Sequence, residues 1–251
     1  MTMKNLIINT SYDEDFYNSQ VSDSLRSAKV YAEYLCQFVQ PNSVVDFGCG
    51  WGTWLHAFAL NGVENLIGYD GSWNSQEKMI NDRINFIGAD LNKPINCSTK
   101  FDLAISLEVA EHLRRESADT FIESLVRASD IILFGAAYPG QGGTDHINEQ
   151  PQSYWAEKFI SLDYSPFDVL RPVFWGCKDV EYWYRQNSFI YIKNNTLAFN
   201  KFIKNGFRPI ERLEFMNCVH PEAYALSILH RNNLYKFKRL LNFIKLIKHD
   251  K

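Results

Sequence analysis

The 251-residue chain is long enough for one α/β domain with a substantial core, and its hydrophobic fraction of 46% is that of a soluble globular protein. A formal net charge of -3 argues against a dedicated nucleic-acid binder. The five scattered cysteines (Cys36, Cys49, Cys97, Cys177 and Cys218) form no Cys-x-x-Cys pair, which argues against a disulfide framework or structural zinc and for reduced thiols in the cytoplasm.

Leu6-Ile7-Ile8 is too short an apolar run for a signal peptide, and no stretch is long enough to span a bilayer. Residues 1–20 read as polar and irregular. From 21 to 40, Val21, Leu25, Ala28, Tyr31, Ala32, Leu35 and Phe38-Val39 recur at helical spacing until Pro41. A β/α alternation follows. Ser43 to Phe47 reads as a first strand, Thr53 to Leu60 as a helix ended by Asn61-Gly62, and Asn65 to Tyr69 as a second strand. Ile84 to Ile87 is a third strand, Phe101 to Leu107 a fourth, 108–128 helical material and Ile131 to Phe134 a fifth strand. The Gly- and Pro-rich Tyr138 to Thr144 is a loop and Ser153 to Ser161 a helix. Residues 166–174 and 188–192 read as two closing strands around a Tyr/Trp-rich helix, Val180 to Gln186.

Short buried strands joined by helices imply a mostly parallel twisted sheet covered on both faces, a Rossmann-like α/β fold. The organisation expected is an N-terminal helical extension (1–42), a ligand-binding α/β unit (43–192) and a C-terminal segment (193–251), in one compact domain. The aromatic content of 15% fits either a large aromatic core or rings lining a pocket for a flat or sugar-like ligand. In the tail, Arg231, Lys236, Lys238, Arg239, Lys245, Lys248 and Lys251 face only Asp250, while Leu234, Phe237, Leu240, Leu241, Ile244 and Ile247 fall on one helical face. That is either a docked helix with a solvated basic side or a helix making peripheral contact with an anionic membrane.

The central motif is Asp46-Phe47-Gly48-Cys49-Gly50-Trp51-Gly52-Thr53, between a strand and a helix. Alternate glycines let the backbone turn and approach a ligand without a Cβ, and the helix N-terminus attracts a carboxylate as readily as a phosphate. A dinucleotide site wants Gly-x-Gly-x-x-Gly, but here the third glycine comes one position early and Thr53 stands in its place. Asp46 would repel a pyrophosphate yet pair with an ammonium. These features disfavour a nicotinamide-dependent oxidoreductase and suit S-adenosylmethionine (SAM), which carries both an ammonium and a carboxylate. Asp70, after the second strand, is placed to accept from ribose hydroxyls or to form a turn before Gly71. Asp90-Leu91 follows the third strand, and a helix N-cap is the alternative role for that aspartate.

Glu108, Glu111 and His112 would share one helical turn after the fourth strand, at the carboxyl ends of the strands where open α/β sheets bind ligands. The loop Asp145-His146-Ile147-Asn148-Glu149-Gln150 would face the same crevice. Methyl transfer to a hydroxyl needs alignment and a base, so His112 and His146 are base candidates with Glu111 beside them; each histidine is otherwise a hydrogen-bonded structural one.

Asp-x-Gly-x-Gly-x-Gly resembles the SAM-binding first motif of class I methyltransferases. Residues from about 11 to 192 are similar to a bacterial family of such enzymes, through Phe16-Tyr17, Ser27-Ala28, Val44 to Trp54, Gly68 to Gly71, Phe101 to Leu113, Gln141-Gly142-Gly143, His146-x-Asn148-Glu149-Gln150, Tyr154-Trp155 and Trp183-Tyr184-x-Gln186-Asn187. The resemblance implies SAM as cofactor, held by Asp46, Gly48, Gly50, Gly52, Asp70, Asp90, Leu91 and Glu108, with Asp90 facing the adenine amino group and Leu91 packing the ring. It also implies a glycan or other small-molecule hydroxyl as acceptor, because such proteins often accompany glycosyltransferases. Glu108-x-x-Glu111-His112 with His146 is similar to the set that holds a divalent metal (Mg²⁺, Mn²⁺ or Zn²⁺) in small-RNA 3′-terminal and ubiquinone-pathway methyltransferases, where the acceptor is a terminal diol or a catechol. A SAM-binding module that partners a glycosyltransferase without turnover is the remaining reading.

Overall fold

A computed structural model describes residues 10–229. Its centre is a seven-stranded sheet in the order β3-β2-β1-β4-β5-β7-β6. The strands are β1 (Ser43–Phe47), β2 (Asn65–Asp70), β3 (Ile84–Gly88), β4 (Leu103–Leu107), β5 (Ile131–Gly135), β6 (Tyr164–Phe167) and β7 (Phe189–Lys193). The first five run parallel, and β7 enters antiparallel between β5 and β6. The Rossmann-like α/β class expected from the strand pattern is the one observed.

The helices are α1 (Thr10–Cys36), α2 (Thr53–Leu60), α3 (Ala118–Ala128), α4 (Gln152–Ser161), α5 (Arg171–Phe174), α6 (Tyr182–Asn187) and α7 (Leu197–Lys204), with 221–229 also helical. Adjacent residues of each strand serve opposite faces. Val44, Leu66, Leu103 and Leu133 pack with Ala28, Tyr31 and Leu35 of α1 and Leu55 and Phe58 of α2. Val45, Phe47, Ala104 and Phe134 pack on the other face with Phe121 and Leu125 of α3 and Trp155 and Phe159 of α4. Both faces are therefore covered, as a parallel sheet requires. α1 lies within the first core layer, as does Phe202 of α7.

Three local expectations are corrected. Residues 10–20 are not irregular but belong to α1, whose backbone is continuous from Thr10. α1 also stops at Cys36, and a turn ending in left-handed Gln40 leads to Pro41. The expected strand 166–174 divides into β6 and the short α5. The reason is tertiary: Arg171, buried at the start of α5, donates to Asp168 and to the carbonyls of Phe215 and Met216. The basic helix expected from Arg231 to Lys251 lies outside the described residues.

The strand order reverses between β1 and β4, each having its other neighbour on the opposite side. The carboxyl ends of these two strands therefore diverge into a crevice, and that is where the motif residues collect.

Candidate active site

The glycine turn after β1 is pinned from β2. Gly48 and Cys49 donate their N–H groups to the Tyr69 carbonyl, at 2.7 and 3.1 Å. Asp70 takes the Gly50 N–H on one oxygen and the Gly71 N–H on the other, both at 2.7 Å. The Asn74 amide closes the ring by donating to the Gly50 carbonyl.

The three motif glycines have left-handed φ values but different duties. A Cβ on Gly48 would lie 2.3 Å from a methyl of Val109, and one on Gly52 would lie 2.6 Å from Ile84 Cδ1. A Cβ on Gly50 would meet nothing within 4 Å. Gly48 and Gly52 thus permit close packing, while Gly50 borders open space of the kind a bound ligand fills.

Asp46 points into the same turn from β1. It is buried, and its Oδ2 has no hydrogen-bond partner. Burial, reinforced by the neighbouring Asp70, pushes its carboxyl well above the usual carboxylate range. An orphaned buried carboxylate beside an open glycine turn fits the ammonium of an amino-acid ligand, which would supply the missing partner. Leu91 is buried, but Asp90 is exposed and spends its oxygens locally, on the Asn92 N–H at 3.0 Å and on Lys93 at 3.3 Å. These bonds hold its carboxyl below the ordinary value, the Asn92 backbone donor most of all.

β4 delivers the second half of the site. Glu108 follows it with a φ of 56°, and Ala110–His112 form a 3₁₀ turn. The loop after β5 is fastened to this turn, since Ile147 and Asn148 both donate to the Glu111 carbonyl at 2.9 Å. His146 therefore meets His112 edge to face, with ring centres 4.8 Å apart. One ligand atom from each of Glu111, His112 and His146 lies within 4.8 Å of the other two.

The electrostatics are uneven. Glu111 is fully buried, neither carboxylate oxygen is hydrogen-bonded, and Oε1 stands 4.0 Å from His146 Nε2. Burial, then the charge of Glu108, pushes its carboxyl well above the usual range. His112 is pushed below the ordinary imidazole value by partial burial and by His146. His146 Nδ1 lies 2.9 Å from Glu149, and that carboxylate also accepts the N–H groups of Gly140 and Gly142, at 2.7 and 2.8 Å. Burial opposes the charge on Glu149, but these donors outweigh it and keep the carboxyl below its usual value.

The structure brings Glu111, His112 and His146 together as a donor set and turns Glu108 to other partners. Its oxygens accept from Gln141 Nε2 at 2.7 Å and Asn187 Nδ2 at 2.9 Å. Burial still raises its carboxyl against the lowering by these amides. Three residues were missed as participants: Glu149, Gln141 and Asn187. The i, i+3 spacing of His146 and Glu149 was a visible signal, but the remote amides could not be paired with Glu108 from the sequence.

Comparison with known proteins agrees with this arrangement. Residues 17–125 match the model of a methyltransferase domain family, a span that ends before the His146 loop. No curated protein matches the chain. Among solved structures, the methyltransferase domain of bacterial CtHen1-C is 17% identical, with a TM-score of 0.52 over 67% of this chain and 97% of that one. The plantazolicin methyltransferase BpumL, solved with S-adenosylhomocysteine (SAH), is 16% identical, with a TM-score of 0.52 over 73% of this chain and 89% of that one. The small RNA methyltransferase HEN1 is 18% identical, with a TM-score of 0.50 over 67% of this chain and 25% of that one. At these identities the likeness is one of fold. Residues 17–125 thus match a methyltransferase domain, on a Rossmann-like sheet shared with SAH-bound methyltransferases, and that fold together with the glycine cradle supports SAM as the cofactor.

Proposed function

We propose that the chain is an O-methyltransferase that acts on a hydroxyl of a carbohydrate or nucleotide-sugar. The observation that carries this reading is the His146–Glu149 pair. The Glu149 carboxylate, itself fixed by two backbone N–H groups, orients the His146 ring through Nδ1, and on this reading its Nε2 is the base in the crevice. An acceptor hydroxyl there gives its proton to Nε2 as its oxygen attacks the SAM methyl carbon. The carbon–sulfur bond breaks and neutral SAH leaves. Asp46 and the Gly48–Gly52 turn hold the amino-acid end of SAM, and Asp70 stands beside them toward the ribose. Asp90 and Leu91 belong to the adenine side, Glu108 to the methionyl side.

The His112 ring, depressed in pKa, is neutral at pH 7 and serves as a hydrogen-bond partner or alternate base. Glu111 adds a buried carboxyl that makes no close hydrogen bond within the protein, with only the backbone N–H groups of Glu111 and Ala137 favouring its charge. The acidic balance of the chain favours a neutral sugar over a nucleic-acid strand.

One observation favours a second reading. Glu111, His112 and His146 converge while both Glu111 oxygens lack partners, a donor set that fits a divalent cation. A cation held there would grip the two oxygens of a vicinal diol and lower the pKa of the attacking hydroxyl. A catechol or the terminal diol of an RNA would then be the acceptor. Similarity in fold to a small RNA methyltransferase supports that choice.

Labelled-methyl transfer from SAM to panels of sugars, nucleotide-sugars, catechols and short RNAs, with EDTA or Mn²⁺, tests both readings. Transfer to the sugar panel that survives EDTA and falls in His146→Ala supports the first. Transfer confined to diol ends or catechols and dependent on Mn²⁺ replaces it with the second. SAM binding without transfer to any panel member points to the non-enzymatic partner module.

A further inference from the structure

In the loop between β5 and α4, Pro139, Gly140, Gly142, Gly143, Thr144 and Asp145 are open to solvent, while Gln141 in their midst is half-buried. The glycines on either side of Gln141 have left-handed φ values, 85° at Gly140 and 73° at Gly142, a backbone path that a side chain at either position would resist. That path turns the Gln141 side chain inward while its neighbours stay outside.

Inside, Gln141 bridges two groups that are themselves held. Its Nε2 donates to Glu108 Oε2 at 2.7 Å, and its Oε1 accepts from Asn187 Nδ2 at 2.9 Å. Asn187 Nδ2 also donates to the other Glu108 oxygen at 2.9 Å, and Asn187 Oδ1 accepts from Gln152 and Gln186. The loop is therefore anchored at one carboxylate and one amide whose own positions are fixed, and that carboxylate follows β4 in the cofactor half of the crevice.

The same few residues hold His146. Gly140 and Gly142, which flank Gln141, donate their N–H groups to the two oxygens of Glu149, and Oε1 of that carboxylate lies 2.9 Å from His146 Nδ1. Gly143 rests against the ring: a Cβ on it would lie 2.3 Å from His146 Nε2, 2.5 Å from Cε1 and 2.8 Å from Cδ2. His112 meets the same ring edge to face. The imidazole is thus fixed through Glu149 and against Gly143, and both holds pass through the segment that Gln141 anchors.

We propose that Gln141 is a positioning residue that couples the cofactor half of the site to His146. It acts through the loop rather than on the reacting atoms. A cofactor that orders Glu108 also orders Gln141, and the loop then holds the imidazole in one orientation; an empty cofactor half leaves the latch looser and the ring less fixed. Cofactor binding therefore prepares the acceptor half. That consequence rests on the reading of His146 as the base.

Hydrogen–deuterium exchange of the 138–146 segment, read at the Gly140 and Gly142 amides with and without saturating SAH, tests the coupling. In wild type, SAH should slow both amides about 10-fold or more. Gln141→Met keeps the bulk of the side chain and removes its bonds to Glu108 and Asn187. Both amides should then exchange about 10-fold faster without SAH, and SAH should no longer slow them. Gly143→Ala presses a methyl onto the His146 ring and should also speed exchange, yet keep the response to SAH because Gln141 is intact. Amides indifferent to SAH in wild type, or slowed equally in Gln141→Met, would overturn the proposal. So would loss of SAH binding by Gln141→Met, which would make Gln141 a cofactor ligand. The measurement needs no acceptor and no turnover, so its failure is distinct from failure of the base reading, which is read from methyl transfer by His146→Ala.

Discussion

His146 Nδ1 lies 2.9 Å from Glu149 Oε1, and the backbone of the same loop fixes that carboxylate. On the proposed mechanism this pair orients the imidazole that serves as base. Glu149→Gln should lower kcat about 10- to 100-fold with little change in SAH affinity. Nitrogen-15 NMR of the imidazole should show the tautomer mixture shifting in the variant. An unchanged kcat would remove the histidine from the role of base.

Asp46 should couple cofactor binding to pH. Its carboxyl is raised in the unliganded fold, so the fold retains a proton that the unfolded chain loses above about pH 4. Its contribution to stability is therefore present at low pH and is lost as pH rises toward the folded value. Asp46→Asn should raise the melting temperature of the unliganded protein at pH 8 and gain about 1–3 kcal/mol there, with a smaller gain at pH 5. Ionisation of Asp46 against the SAM ammonium should release a proton. SAM affinity should then rise with pH in wild type and be weak at every pH in the variant. Calorimetry in two buffers of different ionisation enthalpy measures the proton released.

The glycines of the cradle separate packing from binding. Gly48→Ala drives a methyl into Val109 and should cost about 2–4 kcal/mol in denaturant unfolding. Gly50→Val meets no neighbouring atom at its Cβ and should cost only about 1–2 kcal/mol, the strain of its left-handed φ. It should nonetheless abolish SAH binding by occupying the open side of the turn. A Gly50→Val protein with wild-type SAH affinity would place the cofactor elsewhere.

Asn187 is fully engaged: its Nδ2 donates to Glu108 and Gln141, and its Oδ1 accepts from Gln152 and Gln186. Asn187→Leu strips four hydrogen bonds, two of them fully buried, from one centre. It should destabilise the protein by about 2–4 kcal/mol in chemical denaturation, and a loss under 1 kcal/mol would show the network to be loose.

The sheet was legible because each strand from Ser43 to Phe134 is a short apolar run between turn signals, and the cradle because Asp46 and the three glycines sit between a strand and a helix. The start of α1 was not, since the Asp13-Glu14-Asp15 stretch offers no apolar periodicity. The split of 166–174 depended on carbonyls of Phe215 and Met216, over forty residues away. The active-site turn shows the same division. His112 and His146 were recognisable by type, but Glu108 was grouped with them because it shares their turn in sequence. Its left-handed backbone and its amide partners, 33 and 79 residues distant, give it a different place.

The cradle is tested most directly by a crystal structure of the chain grown with SAH. The ammonium should lie within hydrogen-bonding distance of Asp46 Oδ2, with the carboxylate at the Gly50–Gly52 backbone. SAH bound at another place, with Asp46 still unpartnered and the glycine turn empty, would contradict the assignment.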